Sequence, residues 1–252
     1  MTTYHHDESC LVIIPTYNEK ENITLLIHTI FATYKKIHIL VVDDASPDGT
    51  GDAVVSLQPE YKAKLYLLCR PQKLGLGTAY ITGFQYALAN NYQYIITMDA
   101  DFSHPPDKIQ TLYEACSEEG YDVAIGSRYI TGVNVVNWPI GRVLLSYAAN
   151  WLARFITGLQ IMDVTAGFQC YKRAVLETID LQSITSIGYS FQVEMKFLAW
   201  KYGFKLKEIP IIFTNRVRGY SKMSHHIIFE AFFKIIRLKI SSLFKKFHRS
   251  TE

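Results

Sequence analysis

The chain has 252 residues, 49% hydrophobic and 19% charged, with a formal net charge of +3. That length and apolar content fit one large α/β domain with appendages better than two equal domains. No window supplies the roughly 18 uncharged apolar residues of a membrane-spanning helix, and the opening MTTYHHDESC lacks the basic region and long apolar core of a signal peptide, so the chain is read as kept on the cytoplasmic side.

Residues 1–9 read as a polar N-terminal segment in which the adjacent His5 and His6 are more simply disordered than metal-binding. Strand-like runs then follow at LVIIPT, IHILVVDD, KLYLLC, YIITMDAD and DVAIGSR. Between them lie KENITLLIHTIFATY and GTAYITGFQYALANN, whose apolar residues recur at helical spacing. Continuous β-branched runs mark strands covered on both faces, which predicts a mostly parallel sheet with ligands gathered at the strands' carboxyl ends. The polar residues obey that rule. Tyr17 and Glu19 follow the first run, Asp43 and Asp44 the second, Asp99 and Asp101 the fourth, and Arg128 the fifth. Cys10, Cys69, Cys116 and Cys170 show no short paired spacing, which predicts free thiols in a reducing compartment.

Asp99 and Asp101 are two apart in extended chain, so their carboxylates point the same way into one small volume. A divalent ion is the simplest partner for two such charges, because hard cations take carboxylate oxygens and complete their shell with water and substrate phosphates. Each polar group also has an ordinary reading. PTYNEKEN is a helix start with Asn18 as cap and Glu21 in the first turn; DDASPDGTGD is a turn. KLGLGTAYITGF lacks the Lys-Ser/Thr ending of a nucleotide-triphosphate loop. Convergence of acidic groups from several strand ends favours a site, since clustered carboxylates without a counter-charge destabilise a compact state.

The ordered series IPTYNE, VVDDASPDGT, KLGLGTAYITGF, MDADFSHPP, GSRY, DVTAGFQCYKR, GYSFQVEM and RVRGYSKMS resembles the dolichol-phosphate mannosyltransferases, or polyprenol monophosphomannose synthases, among the inverting family 2 glycosyltransferases. The resemblance covers Cys10 to Ser224. It implies a GT-A fold over residues 10–224, a GDP-mannose donor, a divalent metal, Mg2+ or Mn2+, and a dolichyl or polyprenyl phosphate acceptor. Carried over residue by residue, it places Pro15, Tyr17 and Glu19 in the nucleotide pocket and Val42, Asp43 and Asp44 around base and ribose. It makes Asp99 and Asp101 the metal pair, with the Ala100 backbone near the donor. Ser103 stands where some members carry Gln, and its neutral hydroxyl is the weaker ligand, leaving that place to water. Arg128, Arg216 and Lys222 resemble the residues that contact the diphosphate or the acceptor phosphate, with Arg142 and Ser221 as further acceptor-phosphate candidates. The acceptor is already an anion, so no strong base is needed, and backside attack inverts the anomeric centre. The segment NRVRGYSKMS, from Asn215 to Ser224, is expected to close over the phosphates. A sister enzyme moving glucose or another sugar from UDP would share these motifs, and an inactive nucleotide-sugar-binding scaffold is the non-enzyme alternative.

After Asn215 the chain carries Arg216, Arg218, Lys222, Lys234, Arg237, Lys239, Lys245, Lys246 and Arg249 against Glu230 and Glu252. Within residues 225–252, Ile228, Phe229, Phe232, Phe233, Ile236, Leu243 and Phe247 interleave with these charges as in an interfacial helix that meets a membrane surface. The ordinary alternative is a closing helix whose apolar stripe packs on the domain. The large aliphatic residues argue against nucleic acid as the basic partner. The resemblance leaves room for a small membrane-anchoring subunit, and for a peripheral enzyme on the cytoplasmic face of a bacterial inner membrane or endoplasmic reticulum.

Overall fold

The computed structural model describes residues 10–184, 186, 188–215 and 225–247, without the side chains of residues 189 and 225–231. The first half alternates regularly: β1 (Cys10–Thr16), α1 (Lys20–Thr33), β2 (His38–Asp43), α2 (Thr50–Leu57), β3 (Leu65–Cys69), α3 (Leu76–Ala89), β4 (Tyr94–Thr97), α4 (Ile109–Ser117) and β5 (Val123–Ser127). The second half is less regular. It runs through β6 (Val135–Val136), α5 (Ile140–Thr157), β7 (Gln169–Lys172), α6 (Arg173–Thr178), α7 (Tyr189–Lys201), β8 (Leu206–Pro210), β9 (Phe213–Thr214) and α8 (His225–Phe244).

Among the described residues, seven strands form one sheet in the order β3-β2-β1-β4-β7-β5-β8, and β6 pairs with β9 in a small second sheet. The large sheet is parallel except at β7, which runs antiparallel to β4 and to β5. The expected parallel sheet is therefore present, with one reversed strand in its middle. Alternation along each strand divides the apolar residues between two cores. Leu11 and Ile13 join Tyr80 and Phe84 of α3 and Phe191 of α7, whereas Val12 and Ile14 join Ile23 and Leu26 of α1 and Leu112 of α4. Each buried Leu or Ile contributes about 1.5–3 kcal/mol, a sizeable share of a domain's net stability. Gly83 lets α3 approach β1: a Cβ there would stand 2.6 Å from Ile13 Cγ2.

α1 is not capped by Asn18. That residue takes a positive φ of 58°, and its N–H donates to Ser46 Oγ at 2.9 Å. The helix start is held from the following loop, where Lys20 N–H donates to Asp48 Oδ2 at 3.1 Å and Glu19 N–H to Thr50 Oγ1 at 3.0 Å. The two loops at the ends of β1 and β2 thereby brace each other.

α8 packs against both α5 and α7. Lys239 of α8 donates to the Thr157 carbonyl at 3.0 Å, placing a cation on the negative end of α5. Ile235 is buried, and Leu238 and Phe247 pack against the core. Part of the basic segment thus closes the domain, while Phe233, Ile240, Leu243 and Phe244 stay exposed. No helix among the described residues is long and apolar enough to cross a membrane.

Candidate active site

The polar residues collect where the parallel strands end. At β1 and β2, which pair Pro15 with Val42 and Thr16 with Asp43, the carboxylates are held by neighbouring protein groups. Asp43 accepts from Thr16 Oγ1 at 2.8 Å and from Ser46 N–H at 2.9 Å. Asp44 is buried against Arg70, whose Nε donates to it at 2.5 Å, and also accepts from Leu74 N–H at 3.3 Å. Lys73 Nζ lies 4.2 Å from the centre of the Tyr17 ring, and Glu19 accepts from Asn22 Nδ2 at 2.9 Å.

At the end of β4, Asp99 and Asp101 open into one cavity of about 340 Å³ together with Ser103, His104, Arg128 and Arg142. Asp101 is buried and accepts from Ser103 N–H at 3.1 Å, while the Asp99 side chain is 37% exposed. Ala100 between them is buried. His104 Nδ1 accepts the Asp99 N–H at 3.0 Å. Burial lowers the His104 pKa, with Asp99 and Asp101 opposing and Arg128 assisting, so the ring is neutral with its proton on Nε2, 3.9 Å from Asp99 Oδ2. Tyr80 OH lies 3.4 Å from Asp99 Oδ1. Among the described residues no cluster of three His, Cys, Asp or Glu side chains forms a protein cage for a metal. Two carboxylates sharing one cavity fit an ion that takes its remaining ligands from water and phosphate.

Across the cavity, Arg128 follows β5 and is held by Asp163, a residue the sequence reading left without a role. Its Nε donates to Asp163 Oδ2 at 2.7 Å, its NH2 to Oδ1 at 2.6 Å and its backbone N–H to Oδ2 at 3.0 Å. Burial by itself would raise the Asp163 pKa, but the Arg128 charge and hydrogen bonds outweigh it and hold the carboxyl below its ordinary range. Glu208 of β8 fixes this loop by accepting from Met162 N–H at 2.6 Å and Asp163 N–H at 2.8 Å. Behind it, the fully buried Lys196 donates to the Ala166 carbonyl at 2.6 Å. Arg142 lies 4.0 Å over the Trp138 ring and donates to Asn215 Oδ1 at 3.0 Å.

Much of the remaining wall is apolar, with Leu145, Ala149, Leu152 and Ile156 from α5 and Phe232 and Ile235 from α8, while Ser146, Thr165, Ser190, Gln192 and Asn215 add polar groups. On its outer side α5 exposes Ile140, Leu144, Tyr147, Trp151 and Phe155, spaced by three and four residues into one stripe. The structure therefore brings Asp99, Asp101, Ser103, Arg128 and Arg142 around one cavity. Pro15, Tyr17, Glu19, Val42, Asp43 and Asp44 do not line it; they form a neighbouring group at the ends of β1 and β2. Arg216, Ser221 and Lys222, with the rest of the expected closing segment 216–224, lie outside the described residues.

Comparison with known proteins places the chain in a family. The profile of glycosyl transferase family 2 matches residues 11–180. A polyprenol monophosphomannose synthase from Mycolicibacterium smegmatis is 45% identical over 233 residues, 92% of this chain and 88% of that protein. An undecaprenyl-phosphate mannosyltransferase from Micrococcus luteus is 42% identical over 227 residues, 90% of this chain and 92% of that one. Among solved structures, glucosyl-3-phosphoglycerate synthase from Mycobacterium tuberculosis, in complex with Mn2+, UDP and phosphoglyceric acid, superposes with a TM-score of 0.67 at 16% identity, covering 93% of this chain and 78% of that one. That likeness is one of fold, and the fold is the expected GT-A arrangement. With relatives of such identity along nearly its whole length, and its acidic pair at the carboxyl end of a central strand, the chain belongs to glycosyl transferase family 2.

Proposed function

We propose that the chain transfers mannose from GDP-mannose to a polyprenyl phosphate, giving the β-linked lipid phosphate mannose. The observation that carries this reading is a single cavity that joins two carboxylates and two guanidinium groups to a long apolar wall. A nucleotide sugar needs the first part and a phosphate on a hydrocarbon chain needs the second. The two curated relatives described above carry matching names.

In this reading Pro15, Tyr17, Glu19, Val42, Asp43 and Asp44 form the nucleotide side, and Ala100 presents its backbone to the donor. Asp99 and Asp101 hold a divalent ion, Mg2+ or Mn2+, with water beside Ser103; when bound, the ion neutralises charge on the diphosphate. Arg216 and Lys222 supply further positive charge to the leaving group. Arg128, fixed by Asp163, and Arg142, fixed over Trp138, receive the acceptor phosphate on the far face of the sugar, and Ser221 is a further candidate for that phosphate. No side chain has to remove a proton, because the acceptor oxygen is already anionic. Positioning and electrostatic stabilisation therefore carry the rate enhancement.

The prenyl chain runs along the apolar wall of α5 and α8. The outer stripe of α5, with Tyr147 and Trp151 among its aliphatic residues, rests on the membrane interface as an amphipathic helix does. This arrangement suits a peripheral protein on the cytoplasmic face, where a small anchoring subunit would be an addition to the α5 contact. The test is a panel of radiolabelled nucleotide sugars incubated with polyprenyl phosphate and metal. Label entering the lipid phase from GDP-mannose is expected. Label entering only from UDP-sugars would replace the donor and leave the fold intact.

A further inference from the structure

Gln192 of α7 is 2% exposed and lines the cavity beside Gly167 and His104. Its Oε1 accepts from Gln169 Nε2 at 2.5 Å. Gln169 Nε2 also donates to the Ala166 carbonyl at 3.0 Å, and Tyr171 OH donates to Gln169 Oε1 at 2.7 Å. A carbonyl can only accept, so Ala166 determines which end of the Gln169 amide is nitrogen. That choice in turn determines which end of the Gln192 amide is oxygen. The relay runs one way, from Tyr171 through Gln169 to Gln192, and ends in an NH2 group.

Among the described residues that terminal Nε2 is buried and has no hydrogen-bond partner. A buried donor left unmade costs about 1–3 kcal/mol, and here it is held in place at a cavity wall. A Cβ at Gly167 would stand 3.5 Å from Gln192 Nε2 and 3.5 Å from His104 Cε1. The glycine thus keeps open the space between the amide and the imidazole, on the side of the cavity that carries Asp99.

We infer that Gln192 Nε2 donates a hydrogen bond to a hydroxyl of the donor's hexose and so helps select the sugar. The inference rests on reading the cavity as that of a nucleotide-sugar transferase. A hydroxyl suits the place because its oxygen can accept from the amide while its own proton remains available to an acceptor in the same cavity. A phosphate oxygen has no proton to offer there, and in this reading the diphosphate is already engaged by the ion of Asp99 and Asp101.

The experiment compares GDP with GDP-mannose by calorimetric titration in the presence of metal, which isolates the sugar's share of the affinity. Gln192→Met keeps the length of the side chain and removes the donor. It should bind GDP as the native protein does, while the extra affinity due to mannose, and kcat/KM, fall about 10-fold. A native-like Tm for the methionine variant, together with unchanged GDP affinity, would separate the effect from a packing defect. Among single-deoxy GDP-mannose analogues, one should lose about 10-fold on the native protein and nothing more on the methionine variant. Equal losses for GDP and GDP-mannose, or deoxy losses that simply add to that of the variant, overturn the inference. If the native protein uses only a UDP-hexose, the mannosyl reading falls, and the same cycle run with that donor decides the role of Gln192.

Discussion

Arg128 and Asp163 are buried together, and taking away one partner is far more costly than the net worth of the pair. Asp163→Asn keeps the shape of the side chain but leaves the guanidinium without its full counter-charge. It should destabilise the protein by about 3–5 kcal/mol, read as a fall in denaturant midpoint, and lower turnover more than nucleotide affinity, because the nucleotide group lies at other strand ends. Native-like stability with native turnover would remove Asp163 from the site. Lys196 gives a pH-dependent test. Burial pushes its pKa from 10.5 down to about 7, with Asp163 opposing, Arg128 assisting and Glu208 opposing. Between those values the unfolded chain holds a proton that the folded chain has released, so stability rises with pH from about 7 towards 10.5. Thermal melts from neutral to alkaline pH should show a steeper rise for the native protein than for Lys196→Met; parallel profiles would contradict the burial argument. Neither residue was legible as a site component. Asp163 opens the motif DVTAGFQCYKR and Lys196 directly follows GYSFQVEM, but a buried charge is recognised only once its partners, distant in sequence, are seen around it.

Among the elements, α5 is one of those that the apolar pattern left unassigned. Its hydrophobic residues do recur at helical spacing, yet the structure turns Ile140, Leu144, Tyr147, Trp151 and Phe155 outward and buries Asn150, Ala153 and Thr157. Read as a core helix, such a stripe would point the wrong way. Because these outer side chains hold little of the fold, Trp151→Ser with Phe155→Ser should leave Tm nearly unchanged and weaken binding to phospholipid vesicles about 10-fold or more, as expected for removing buried aromatic area from an interface. Undiminished sedimentation with vesicles would show that α5 does not face the membrane. β1 through β5 were legible because long β-branched runs can be accommodated only in a covered sheet. β7 was not: QCYK mixes polar and apolar residues over four positions, and its place between β4 and β5 is set by partners far along the chain. Arg142 shows the same limit, since only the fold places the start of α5 beside Trp138 and Asn215.

For the molecule as a whole, the charge asymmetry and the apolar surface belong together. Exposed Arg237, Lys245 and Lys246 lie on or just after α8, which packs against α5. Vesicle binding should therefore be stronger with anionic lipid and weaken as salt is raised, since exposed charges are screened beyond about 8–10 Å at physiological ionic strength. Binding indifferent to lipid charge would assign the attachment to α5 alone. The motifs made the acidic pair and the strand-end layout readable. The apolar wall was not readable, because its residues come from α5, α7 and α8 and meet only in the folded chain. The central claim is that the Asp99–Asp101 site and this wall serve one reaction, and the most direct measurement is transfer of labelled mannose from GDP-mannose to polyprenyl phosphate by native protein and by Asp101→Asn, with metal and with chelator. The account predicts labelled lipid from native protein with metal, and loss of at least about 100-fold, on the order of 3 kcal/mol of transition-state stabilisation, in chelator and in the fully folded variant. Undiminished transfer by Asp101→Asn in chelator would contradict it.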